Sequence, residues 1–172
     1  MKKSYIVPTN KETKMPDDGF IVSKTNAKGI ITYCNEIFID MAGYEEAVLL
    51  GKNHNIIRHP DMPKVAFKLC WDLISSGKEF FGFVKNMSKD GGHYWVFANI
   101  TPDYDSSGKI IGYTSVRRKP PQSAINAIEP IYKLLADEEK KGGMKASGDF
   151  LAKFLQDKNI SYDELVLSLQ GE

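Results

Sequence analysis

The chain has no long apolar run. Stretches such as Ala47-Val48-Leu49-Leu50 fall far short of the roughly 20 residues that a spanning helix needs, so direct membrane insertion is not expected. Net charge is also lacking: 23 basic residues stand against 22 acidic ones, with no basic stripe, which argues against an electrostatic grip on nucleic acid. Cysteine is scarce. Cys34 and Cys70 sit in apolar surroundings without CxxC spacing, which points to packing residues in a reducing compartment rather than to a disulfide or a metal site. The start Met1-Lys2-Lys3-Ser4 has no apolar block of the kind a signal peptide carries, and a cytoplasmic location is expected. No nucleophile–base pair, phosphate loop or metal-ligand spacing appears, so no enzyme is expected either.

What is present suffices for one compact domain with a smaller appendage: 172 residues, 42% apolar and 11% aromatic. Residues 1–18 are polar and read as an arm without a core of its own. Phe20 to Lys24 and Ile30 to Cys34 flank the turn Asn26-Ala27-Lys28-Gly29 and read as a hairpin. Asn35 then stands as N-cap of a helix over Glu36 to Met41 that Gly43 ends, and Tyr44 to Leu50 forms a second helical turn closed by Gly51. A longer helix is expected from Pro63 to about Ser75. Phe80 to Met87, His93 to Thr101 and Ile110 to Arg117 are three strand-like runs joined by polar turns. The economical arrangement is α+β, a five-stranded antiparallel sheet with short helices over one face.

The chain is organised around His54-Asn55-Ile56-Ile57-Arg58-His59-Pro60-Asp61-Met62-Pro63. Two prolines so close forbid a continuous helix, so the segment must be a short turn that displays polar side chains at the mouth of the next helix. A ligand site and an irregular, solvated connection are both compatible with that pattern. Alternation on the last strands puts Phe80, Gly82, Val84 and Asn86 on one face and Phe81 and Phe83 on the other. The next strand likewise separates Tyr94, Val96, Ala98 and Ile100 from Trp95 and Phe97. Both faces are apolar there. The face with Phe81, Phe83, Trp95 and Phe97 is therefore expected to be covered, by the chain itself in preference to another subunit.

Tyr33-Cys34-Asn35, Ala42-Gly43-Tyr44, Leu50-Gly51-Lys52, Arg58-His59-Pro60-Asp61-Met62-Pro63, Val84-Lys85-Asn86, Lys89-Asp90-Gly91 and His93-Tyr94-Trp95 through Gly112-Tyr113 resemble a PAS domain. More narrowly, they are similar to the flavin-binding PAS domain of bacterial aerotaxis receptors. The resemblance covers about Phe20 to Arg118 and implies a PAS sensory domain at 19–119, with FAD held noncovalently between the helices and the inner sheet face. It implies cofactor contacts at Asn35, Arg58, His59, Asp61, Phe67, Trp71, Phe80 and Asn86; the family has tryptophan where Phe80 stands. The chemistry of several agrees. Arg58 offers a fork of donors for a pyrophosphate, Trp71 a plane for a ring, and Asn86 a donor and an acceptor on one amide. His54 falls where blue-light PAS photoreceptors carry their adduct-forming cysteine, which argues against that chemistry. A haem-binding gas sensor with His59 or His54 as axial ligand, and a cofactor-free interaction module, are the alternatives to a flavin redox sensor.

The sequence contains neither the membrane anchor nor the long signalling coiled coil of such receptors. The expectation is a soluble half of a bipartite energy-taxis system, acting in trans on a membrane-bound chemotaxis transducer. Residues 120–172 read as three short amphipathic helices: Ile125 to Leu135 with a kink at Pro130, a second after Gly142-Gly143, and a third from the capping box Ser161-Tyr162-Asp163-Glu164. They are expected to pack on the PAS core or on a partner, and with the outer sheet face to mediate homodimerisation or transducer docking.

Overall fold

The computed structural model describes residues 5–171. Five strands form one antiparallel sheet: β1 (Ile21–Asn26), β2 (Ile31–Cys34), β3 (Phe80–Met87), β4 (His93–Tyr104) and β5 (Ile110–Arg118), in the order β2-β1-β5-β4-β3. Between β2 and β3 lie α1 (Glu36–Ala42), α2 (Glu46–Leu49), a 3-10 turn (His54–Ile57) and α3 (Lys64–Ser75). After β5 come α4 (Gln122–Lys158) and α5 (Tyr162–Gln170).

The local chemistry explains the breaks. Gly29 turns the β1–β2 hairpin with a φ of 77°, a left-handed conformation that glycine adopts without steric cost. The Asn35 side chain caps α1 by accepting from the Phe38 N–H at 3.2 Å. The two prolines act as expected: between Arg58 and Lys64 the chain is irregular, and Pro63 occupies the cap position of α3.

The core lies between α1–α3 and the inner sheet face, where Ile21, Phe38, Leu49, Ile57, Tyr94 and Val96 are fully buried. On the other side, α4 and α5 supply Ile128, Tyr132, Leu135 and Val166 to the same hydrophobic cluster. Trp95 stacks on Tyr132 at 6.3 Å, and the Tyr132 hydroxyl donates to the Phe83 carbonyl at 2.6 Å. The chain thus covers its own outer face at β3 and β4, as alternation requires. Phe83 and Phe97, expected on a homodimer or docking surface, are buried in one cluster with residues of α4 and α5 in this conformation.

Two further expectations change in detail. The arm contributes to the core through buried Met15, and its Lys11–Thr13 backbone exchanges hydrogen bonds with His93, at the part of β4 that β5 does not reach. Helix α4 keeps helical geometry through Pro130, where a kink was expected, while the expected break at Gly142 and Gly143 is present. Gly143 has φ 71° and ψ −167°, a region open in practice to glycine alone, whereas proline only removes one N–H from a helix held down by its buried face.

Candidate functional site

A cavity of about 290 Å³ opens between the central segment, α3 and the inner sheet face. Each wall follows from a periodicity. On α3, Phe67, Cys70, Trp71 and Ile74 recur at helical spacing and face the sheet. From the strands come the alternating residues Ser23 and Thr25 on β1, Val84 and Asn86 on β3, and Tyr113, Ser115 and Arg117 on β5. The central segment adds Asn53, His54, Asn55, Ile57, Arg58 and Met62.

Five of the eight expected contacts meet here: Arg58, Phe67, Trp71, Phe80 and Asn86. The Arg58 guanidinium carbon lies 4.1 Å from the Phe67 ring centroid, over its face, a cation–π contact that holds it at the wall. Trp71 is 40% exposed and meets Tyr113 edge-on at 5.5 Å, so one aromatic plane is available near the mouth. Asn86 is only 2% exposed, and its side-chain Nδ2 is buried without a hydrogen-bond partner. Its backbone bridges to Arg58, which ties the strand to the central segment.

The other three do not line the cavity. The Asn35 amide is committed to structure: its oxygen accepts from the N–H groups of Val22 and Phe38, and its nitrogen donates to the Phe20 carbonyl at 2.8 Å. His59 is buried outside the cavity, where its Nδ1 accepts from the Asp61 N–H at 3.1 Å; burial pushes its pKa down to about 4. Asp61 accepts from Lys85 Nζ at 2.9 Å, and Lys85 also reaches Glu129 on α4 at 3.4 Å. Burial, the largest single influence, pushes the Asp61 carboxyl up, but the bond to Lys85, the Lys85 charge and the nearby His59 and His93 together hold the group below its ordinary value. Arg58 has an extended backbone, so its neighbour His59 turns to the opposite side.

Arg117, His54, Ser23 and Ser115 complete the floor and were not among the expected contacts, His54 having been weighed as a haem ligand and as the position of the photoreceptor cysteine. Arg117 is 5% exposed; its Nε donates to Ser115 Oγ at 2.9 Å and its Nη2 reaches His54 Nε2 at 3.4 Å. A guanidinium can only donate, so this His54 nitrogen is an acceptor, and it also lies 3.0 Å from Ser23 Oγ. Burial first, and the Arg117 charge second, push the His54 pKa down to about 3. The sequence signal was present: Arg117 shares strand parity with Tyr113 and Ser115.

The arrangement can hold a flat, partly apolar ring between Phe67, Trp71 and the strands, with hydrogen-bond donors at Asn86 and Arg117 and a charged fork at Arg58. Its volume is at the lower end of the roughly 300–1,000 Å³ of ligand pockets, enough for one ring system and not for a whole dinucleotide.

Residues 31–117 match the sequence model of a family described as PAS fold. The chain is 42% identical over 132 residues to the aerotaxis receptor of Escherichia coli (strain K12), a match covering 77% of this chain and 26% of the receptor. It is 30% identical over 97 residues to the nitrogen fixation regulatory protein of Klebsiella pneumoniae, covering 56% of this chain and 20% of that one. The chain thus spans about a quarter or less of the length of these relatives. A light-oxygen-voltage domain studied with a flavin analogue shares the fold, with TM-score 0.56 and 23% identity over 71% of this chain and 87% of that one. So does the light-state dimer of the fungal blue-light photoreceptor Vivid, with TM-score 0.54 and 21% identity over 61% and 80% of the two chains.

Proposed function

The chain belongs to the PAS family, and on that premise we propose that it is a non-enzymatic flavin redox sensor for aerotaxis signalling, with FAD as its cofactor. The observation that carries the reading is the unpartnered Asn86 Nδ2 in an aromatic-lined cavity. A buried donor left unmade costs about 1–3 kcal/mol, and an acceptor on a bound ring relieves that cost. The cavity would take only the flavin ring system, against Phe67, Trp71 and Phe80; the half-buried Arg58 at its wall suits the pyrophosphate, and the adenosine half of FAD would lie outside the cavity. The identity with the aerotaxis receptor supports the signalling role.

A bound flavin supplies reversible electron uptake accompanied by a change in ring protonation. Asn86 is the residue placed to respond. Its amide carries a donor and an acceptor, so a half-turn exchanges one for the other, and its neighbour Lys85 on β3 holds α4 through Glu129. The haem alternative is less well supported, since His54 Nε2 is engaged by Arg117 and Ser23 and His59 lies outside the cavity. Among the described residues no helix is long and apolar enough to cross a membrane. We propose that the protein works in the cytoplasm, in trans on a membrane-bound chemotaxis transducer.

The visible spectrum of the purified protein tests the cofactor. The expected result is a yellow protein whose chromophore is released on denaturation as FAD. A colourless preparation that refuses added FAD overturns the reading in favour of an interaction module, and a Soret band overturns it in favour of haem. Co-purification with a chemotaxis transducer from solubilised membranes tests the partner.

A further inference from the structure

Pro63 stands at the cap position of α3 and supplies no side-chain acceptor, so the first N–H groups of that helix need partners from elsewhere. They find them 75 and 74 residues away. Glu139 on α4 accepts from the Lys64 N–H through Oε2 at 3.0 Å and from the Val65 N–H through Oε1 at 2.8 Å. Ser147, itself fully buried, shares its hydroxyl proton between Glu139 Oε1 and the Met144 carbonyl of its own turn, each at 3.2 Å. Between Glu139 and Ser147 lies the Gly142–Gly143 break. One carboxylate therefore joins the start of the cavity-wall helix, the first part of α4 and the part of α4 beyond the break.

We propose that Glu139 is a positioning residue that couples the cavity to the C-terminal tail. The inference rests on the cavity being the ligand site proposed above. Helix α3 presents Phe67, Cys70, Trp71 and Ile74 to the cavity, so a ligand that seats against this wall fixes the helix that Glu139 caps. A fixed α3 N-terminus holds the carboxylate, the carboxylate holds Ser147, and the segment after Gly143 is docked. A displaced α3 loosens that segment about the glycine break, where the backbone is already outside helical geometry. Coupling of this kind is reciprocal: what the ligand gives to tail docking, tail docking gives to ligand affinity.

Hydrogen exchange on the full chain, with and without saturating FAD, tests it. In the parent protein FAD is expected to slow exchange both in α3 and across 143–158. In Glu139→Ala the α3 protection persists at saturation, the tail protection is lost, and FAD affinity falls about tenfold, the size of a lost helix cap. Tail protection in Glu139→Ala equal to that of the parent overturns the proposal, as does a parent tail indifferent to FAD. Should Glu139→Ala not fold, Glu139→Gln decides by the same readouts, because the amide keeps one acceptor and loses the other: reduced tail protection supports the coupling and full protection overturns it. A cofactor-free arm separates this from the flavin reading. Phe67→Ala should speed tail exchange when Glu139 is present and not when it is replaced by glutamine. If the protein refuses FAD, the flavin reading fails while this cycle still decides the coupling.

Discussion

Lys85 on β3 and Arg117 on β5 are both less than a tenth exposed, yet their surroundings differ. Lys85 lies between the carboxylates of Asp61 and Glu129, with its ammonium 5.9 Å from the Trp95 ring centroid. Arg117 meets the neutral Ser115 and His54, and no carboxylate of the described residues pairs with it. Burial pushes its guanidinium pKa down, opposed by the Tyr94 and Cys70 side chains. A buried ion closed by opposite charges serves the fold, in this case by holding the central segment and α4 to the edge of the sheet. A buried ion left open at the floor of a cavity costs the empty protein stability, and in the proposed reading a ligand makes use of it.

The largest effect should come from Arg117→Met. It removes a charged donor from the cavity, worth about 1.5–3 kcal/mol, so FAD affinity should fall roughly ten- to a hundredfold while the ligand-free melting temperature is not lowered. Titration with FAD and a melt of the ligand-free protein check both halves; a marked loss of stability would remove the contrast with Lys85. Lys85→Met should do the reverse. Because Asp61 and Glu129 side chains are more than half exposed and rehydrate, the cost should be about 1–2 kcal/mol in denaturant unfolding, with FAD affinity within a factor of two or so of the parent.

Acid sharpens the comparison next, since a histidine stands beside each cation. His59, with a folded pKa of about 4, stays neutral where the unfolded chain takes a proton near 6.5. Stability is complete above about pH 6.5 and falls as the pH drops toward 4, by about 1 kcal/mol for His59 over the first unit. His54 acts in the same direction down to about pH 3. Because Arg117 contributes to lowering that pKa, Arg117→Met should raise it, which NMR titration of the ring can follow. The smallest effect should be Ser115→Thr, which keeps the hydroxyl that accepts from Arg117 and adds a methyl at the cavity wall, and should change stability by less than about 1 kcal/mol.

The fold was legible because its signals are local. Asn35, Gly29, Gly43 and Ser161 cap or turn the chain where the sequence placed them. The cavity lining was legible where periodicity carries it: Phe67 and Trp71 share a helix face, and Val84 and Asn86 share a strand face. Adjacency in sequence does not carry it. His59 and Asp61 adjoin Arg58 in sequence, but successive residues of an extended chain point apart, and these two belong to the Lys85 cluster. Arg117 shares strand parity with Tyr113 and Ser115, but parity says only which residues share a face; burial and the cavity lining show that this face looks inward. The Glu139 cap spans 75 residues and has no local signal at all.

The central segment also settles how the sheet can meet other sheets. At one edge, the Ile31 N–H donates to the Lys52 carbonyl and its carbonyl accepts from the Gly51 N–H; at the other, Arg58 bridges Asn86, Met62 sulfur accepts from the Lys85 N–H, and Tyr132 takes the Phe83 carbonyl. Strand addition, swapped hairpins and fibril growth all require a row of open main-chain groups at an edge, and here those groups are stapled by side chains and by a turn. A strand added at these positions would first have to displace the turn and the side chains that hold them.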